Sequence, residues 1–214
     1  MVDSGTPLVI VDETDEVVTV RLNRPEKLNA LGPELVKGLY TALSDLQDDD
    51  RGILLTGAGR ATCAGMDTDI VGDGDYPEAY PDLHEQLRAA QQLLVDRTAP
   101  SAMAGFGVLV GAGFSFSLRC DFLILGEETT CSLPEIRYDI PVFKNARLIA
   151  DLVGPRIAKE IALTGRRLDP DRLHEIGLAN DVVVETEVEE TAYDLLEDIA
   201  GHDSSHVSEV LQYL

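Results

Sequence analysis

Residues 104–121, AGFGVLVGAGFSFSLRCD, set Gly105, Gly107, Gly111, Ala112 and Gly113 into an otherwise apolar run. The pattern reads as a buried strand ending in a glycine turn, with a helix, FSFSLRC, beginning after the last glycine. A helix start carries N–H groups without intrahelical partners and the positive end of the dipole, so a close backbone approach there suits a negatively charged oxygen. Phosphate-loop chemistry does not fit, because GxxxxGK[ST] needs a lysine that is missing after Gly111 and Gly113, and GVLVGAG lacks the GxGxxG spacing of dinucleotide sites. Spacing alone leaves two readings, an oxyanion site or tight packing. Ser115 would need a base partner to act as a nucleophile, and none is identifiable. Glu135, after Pro134, is by residue type either an acid–base group or a surface carboxylate. His202 and His206 have the i,i+4 spacing of metal ligands but no third ligand nearby, which favours a solvated helix end and no metal.

The elements that must position these groups follow from periodicity. LVIVDETDEVVTVRLN (8–23) predicts a β-hairpin turning at Glu13-Thr14-Asp15. From Pro33, Leu35, Leu39, Leu43 and Leu46 recur at helical spacing until Asp48-Asp49-Asp50. GILLTG (52–57) reads as a buried strand, 72–82 as a proline-broken surface loop, and Leu83, Leu87, Ala90 and Leu94 as the face of a helix reaching about Arg97. DFLILGEE (121–128) is a strand. Beyond Gly154 helices dominate, interrupted by the short strand DVVVE. Strand–helix–strand order predicts an α/β fold.

The chain has 214 residues, 44% of them hydrophobic, enough for one sizeable core. Its formal charge is −22, from 39 acids and 17 bases, and its lysines are Lys27, Lys37, Lys144 and Lys159. Acids spread along the whole chain suit a salt-rich cytoplasm, where screening tolerates self-repulsion. Without clustered cations, nucleic acid and anionic membrane are excluded as partners. Cys63, Cys120 and Cys131 show no CxxC spacing, and neither a signal-peptide pattern nor a membrane-length apolar run is apparent, which predicts a reduced, cytoplasmic protein.

Five blocks in order, VRLNRPEKLNAL (20–31), LLTGAGRATCAGMD (54–67), GVLVGAG with LRCD (107–121), LPEIR (133–137) and LVGPRIAKEIALTGRRLDPDRLHEIGLANDVV (152–183), resemble the crotonase family of enoyl-CoA hydratases and isomerases. The resemblance implies a crotonase (ClpP-like) spiral of ββα units over residues 1–183, followed by a shortened helical region over 184–214, and a role in acyl-CoA and fatty acid metabolism. It implies that two backbone N–H groups, of Met66 and Ala112, hold the oxyanion of a thioester enolate beside Gly111. It also implies that Lys27, Leu28 and the loop containing Ala64, Asp67, Thr68 and Asp69 wrap the CoA. CoA is then part of the substrate, with no separate cofactor. Asp67 and Asp69 could instead cap the following helix.

The departures narrow the chemistry. Hydratases of this family carry two catalytic glutamates, one at the position of Ser115 and one at Glu135. A serine cannot serve as a carboxylate base, whereas the isomerase branch uses one glutamate at the PE-like position, so a double-bond isomerase relying on Glu135 is expected. The alternatives are a hydratase or other crotonase-type lyase and a non-catalytic acyl-CoA-binding protein. Asp139, Val142, Lys144 and Asn145 stand where hydratases carry a glycine-rich stretch. Family members form trimers, and a homotrimer or related homo-oligomer is expected, although only about thirty residues follow DVVVE.

Overall fold

The computed structural model describes residues 7–71 and 82–213, so the loop read at 72–82 lies almost wholly outside the described residues. Its centre is a six-stranded sheet. The first two strands, β1 (Val9–Glu13) and β2 (Val17–Leu22), form the predicted antiparallel hairpin. The others, β3 (Gly52–Gly57), β4 (Ser101–Gly105), β6 (Phe122–Gly126) and β9 (Asp181–Val183), add in parallel. A second sheet joins β5 (Val108–Val110), β7 (Thr130–Ser132) and β8 (Arg167–Leu168).

Parallel strands covered on both faces carry apolar residues at nearly every position. GILLTG is buried throughout, and its alternate side chains part to opposite faces. Val18, Val20, Ile53, Leu55, Met103, Leu123 and Leu125 point into the main core with Leu35, Leu39 and Leu43 of helix α1 (Pro33–Asp45) and Leu83, Leu87 and Leu94 of the helix Leu83–Val95. Val17, Leu54, Ala102, Ala104 and Ile124 point the other way, onto Val188, Ala192 and Leu196 of the helix Val188–Ala200. That helix therefore seals one face of the sheet, and Arg21 on β2 ties it down by pairing with Glu189, Nη1 to Oε2 at 2.8 Å.

Two features differ from the sequence reading. The apolar run at 101–110 is two strands in two sheets. Gly107, at φ 61°, makes the crossing, and a Cβ there would lie 2.0 Å from the Arg60 carbonyl oxygen. Its N–H donates to Glu185 Oε1 at 2.6 Å, which stitches the crossing to the chain beyond β9. The central helix also starts earlier than FSFSLRC, spanning Ala112–Ser117, so that Ala112 holds its first position. A further helix at Phe143–Val153 precedes the helices Pro155–Thr164, Pro170–Glu175 and Ser204–Tyr213 in the region beyond Gly154, where helices are expected. Among the described residues no helix is long and apolar enough to cross a membrane, and the three cysteines are free thiols.

Leu196 is fully buried, and its side chain lies 3.2 Å from where a Cβ on Gly52 would stand. Leu196→Ala should cost about 2–5 kcal/mol, the usual range for a buried leucine leaving a cavity. Denaturant unfolding followed by circular dichroism checks this; a change under 1 kcal/mol would mean that the helix is not part of the core.

Candidate active site

The backbone between Cys63 and Met66 runs between two neighbours. On one side Cys63 N donates to Val108 O at 2.9 Å and Cys63 O accepts from Val110 N at 3.0 Å; on the other, Ala64 N donates to Leu28 O at 2.9 Å. Regular alternation would then turn Met66 to the Leu28 side. Instead Leu31 N donates to Gly65 O at 2.7 Å and Leu31 O accepts from Asp67 N at 3.1 Å, so Met66 pairs with Leu31 and its own N–H points away from that neighbour. Gly65 causes the change of phase through a φ of 86°, a conformation that side-chain-bearing residues rarely adopt. A Cβ on Gly65 would also lie 2.7 Å from Val110 O and 3.5 Å from Ala112 N.

The second wall is the turn after β5. Gly111, at φ 57°, precedes the short helix α4 (Ala112–Ser117), and its N–H is held by Ser132 O at 2.9 Å. Ala112 N is the first orphan donor of that helix. Among the described residues neither Met66 N nor Ala112 N has an acceptor. Two amides without acceptors thus stand on the two segments bordering the gap that Gly65 and Gly111 leave.

Glu135 borders the same gap. It sits on the 3-10 turn Pro134–Tyr138, anchored behind by the fully buried Leu133, and its backbone oxygen accepts from Ile140 N at 3.0 Å. Glu135 Oε1 lies 3.3 Å from the place of a Gly111 Cβ, so any larger residue at 111 would press on the carboxylate. Oε2 is buried and, among the described residues, has no hydrogen-bond partner. Burial pushes the Glu135 carboxyl above its ordinary value, because the charged form loses water and gains no cation. The surface-carboxylate reading of this residue is therefore set aside.

The rim comes from residues 24–31 and 64–70. Leu28 and Asn29 both take left-handed backbone conformations, φ 51° and 56°, which bend the chain around Ala64. The fully buried Asn29 holds that bend, accepting from Arg24 N at 2.7 Å and donating to Ala58 O and Ala61 O at 2.9 and 2.8 Å. Asp67 caps the four-residue helix Thr68–Val71 through Asp69 N at 3.0 Å and receives Arg24 Nη1 at 2.6 Å. Burial opposes the Asp67 charge, but Arg24 and the Asp69 N–H outweigh it and hold the carboxyl below its usual range. Lys27 Nζ meets Asp69 Oδ2 at 2.6 Å on the exposed rim, with Thr68 beside it open to solvent. Arg24 and Asn29 carried no functional reading in the sequence; their only signal is that both lie inside the RPEKLNAL block.

Ser115 is buried one turn into α4, and its Oγ accepts from Asn145 Nδ2 at 2.6 Å. Cys63, beneath the site, donates its thiol to Asn29 O at 3.3 Å, and burial pushes it up to about 12, so it stays a thiol. His202 lines a cavity of about 410 Å³ under the last helix, with Asp15, Asp50 and Arg51, at the edge of the sheet where β3 and β4 begin. None of the gap residues reaches it. Among the described residues no group of three or more potential metal ligands occurs.

These features coincide with a family match. The enoyl-CoA hydratase/isomerase family model covers residues 12–214. A hydroxycinnamoyl-CoA hydratase-lyase from Pseudomonas fluorescens is 35% identical over 199 residues, covering 87% of this chain and 70% of that protein. The crystal structure of an enoyl-CoA hydratase from Bacillus anthracis superposes with a TM-score of 0.89 at 30% identity, over 96% of this chain and 81% of that one. One from Mycobacterium smegmatis, at 24% identity and a TM-score of 0.88 over 97% and 82%, supports the spiral fold. On the sequence and on the backbone alike, the chain belongs to the enoyl-CoA hydratase/isomerase family of the crotonase superfamily.

Proposed function

We propose that the protein is an acyl-CoA enzyme that shifts the double bond of a 3-enoyl-CoA to the 2-position, using Glu135 as its single acid–base group. The observation that carries this reading is the position of Glu135 Oε1 against Gly111, beside the two free amides, with no second carboxylate at the Ser115 position. With the thioester oxygen between Met66 N and Ala112 N, the carbon next to the carbonyl becomes acidic because the amides hold the enolate charge. Such a donor is worth about 2.7–4 kcal/mol in other oxyanion holes. Glu135 takes the proton from that carbon and returns it to the far carbon of the allylic system. Nothing is consumed, so one carboxylate suffices.

The raised carboxyl serves this step, since a base nearer neutrality also returns its proton readily. Lys27 and the 64–69 loop would hold the CoA, which requires Lys27 to exchange Asp69 for a phosphate. A homotrimer in a salt-rich cytoplasm is the setting that the family resemblance and the charge of −22 support. A second reading, a hydratase-lyase, is favoured by the 35% identity to the Pseudomonas fluorescens relative. In that case Glu135 would handle the protons of an added water.

Assays with 3-hexenoyl-CoA and crotonyl-CoA separate the two. Isomerisation should exceed hydration, and Glu135→Gln should slow it by about 100-fold or more, the usual worth of a positioned acid–base group. Faster hydration would favour the second reading, and a fully active Glu135→Gln would remove Glu135 from the chemistry. Stability gives an independent check. With its folded value raised, Glu135 keeps its proton in the folded state after the unfolded chain has lost it, so its contribution to stability declines as pH rises from the ordinary glutamate range through the folded value. Glu135→Gln should therefore melt higher than the parent at pH 8, and the two should converge near pH 4. Equal melting temperatures at both pH values would contradict the burial assigned to this carboxylate.

A further inference from the structure

The segment from Pro134 to Val153 meets the Gly111 turn and the helix that follows it at two places one turn apart. At the first, Glu135 Oε1 lies against Gly111. At the second, Asn145 Nδ2 donates to Ser115 Oγ at 2.6 Å. Ser115 N donates to Gly111 O at 2.8 Å, and side chains on a helix lean toward its N-terminus, so the Ser115 side chain leans back toward the Gly111 turn that Glu135 Oε1 borders.

Donor and acceptor inventory then decides what Ser115 can do. Arg119 Nη1 donates to Ser115 O at 2.6 Å and reaches the Asn145 side-chain oxygen at 3.1 Å. A guanidinium has no acceptor, so the asparagine atom facing it must be the oxygen, and the amide nitrogen must face Ser115. That nitrogen has only hydrogens to offer, so the Ser115 oxygen must accept. The serine's own hydrogen is left over, and among the described residues it has no acceptor. Arg119 keeps its charge at any working pH, which makes the orientation permanent.

We propose that Asn145, locked by Arg119, is a positioning residue that fixes Ser115 as a hydrogen-bond donor across from Glu135, and that the pocket takes acyl-CoA thioesters whose acyl chain carries an oxygen acceptor, a hydroxyl or carbonyl, beyond the reacting carbon. This rests on the acyl-CoA reading above and adds the chemistry of the acyl chain. A buried donor facing a purely hydrocarbon chain would go unsatisfied, so the site discriminates against such chains.

Calorimetric titration with butyryl-CoA and 3-hydroxybutyryl-CoA tests it on the parent, Ser115→Ala, Ser115→Thr and Asn145→Asp. The parent should bind the hydroxy ester about tenfold more tightly, one good hydrogen bond's worth. Asn145→Asp keeps the shape and the contact with Arg119 but accepts from Ser115, which consumes the serine hydrogen. It should therefore bring the ratio to about one, as should Ser115→Ala, while Ser115→Thr should retain the preference. Circular dichroism melts establish that each variant folds. A parent ratio near one, or an Asn145→Asp variant that keeps the preference, overturns the inference while leaving the acyl-CoA reading in place. Failure of both thioesters to bind the parent overturns both.

Discussion

Everything at the candidate site depends on one backbone approach, that of the chain around Gly65 to the chain around Val110 and Gly111. A Cβ on Gly65 would lie 2.7 Å from Val110 O, nearer than real Cβ contacts come, so the two segments meet only where a side chain is missing. The same glycine shifts the alternation of the 63–67 segment and turns the Met66 N–H away from Leu31. Gly111 then leaves the space in which Glu135 Oε1 rests. Two glycines thus create the amide pair and admit the carboxylate beside it. Because the donors belong to the backbone, the sequence is free to place methionine and alanine there, and their orientation costs no reorganisation when charge develops.

Around this centre, polar side chains fix loops where apolar contacts are few. Asn29 joins 24–30 to 58–61, the Arg24–Asp67 pair joins the same loop to the oxyanion segment, and Glu185 holds the strand crossing at Gly107. In a chain of charge −22 cations are few, and one of them, Arg24, makes one of these joins. The Lys27–Asp69 pair differs, being exposed and at the mouth, where such a pair contributes little to stability and yields readily to another anion. The site combines a rigid floor with a rim whose charge can be exchanged.

Periodicity made the scaffold legible. The hairpin, the helices at Pro33 and Leu83 and the strand GILLTG follow directly from 2-residue and 3.6-residue patterns. The crossing at Phe106-Gly107 was not legible, because an apolar run reads the same whether it serves one sheet or two. Glu135 was visible as a residue type, but its burial was not, since that depends on Gly111 and Leu133 closing around it. Asn29 and Arg24 gave no signal of their own, and Asn145 showed only as a departure from a glycine-rich stretch, because their partners lie between five and 43 residues away. The order of the family-like blocks pointed to the segments around Gly65 and Gly111; the donor–acceptor accounting that limits Ser115 required coordinates.

The central claim is that Met66 N, Ala112 N and Glu135 together generate a thioester enolate. Proton exchange at the carbon beside the carbonyl reads this directly, whether the full reaction is an isomerisation or a hydration. Butyryl-CoA incubated with the protein in D2O and followed by NMR should gain deuterium at that carbon well above the rate in buffer, and Glu135→Gln should abolish most of the gain. Exchange no faster than in buffer, or equally fast in the variant, would contradict the account.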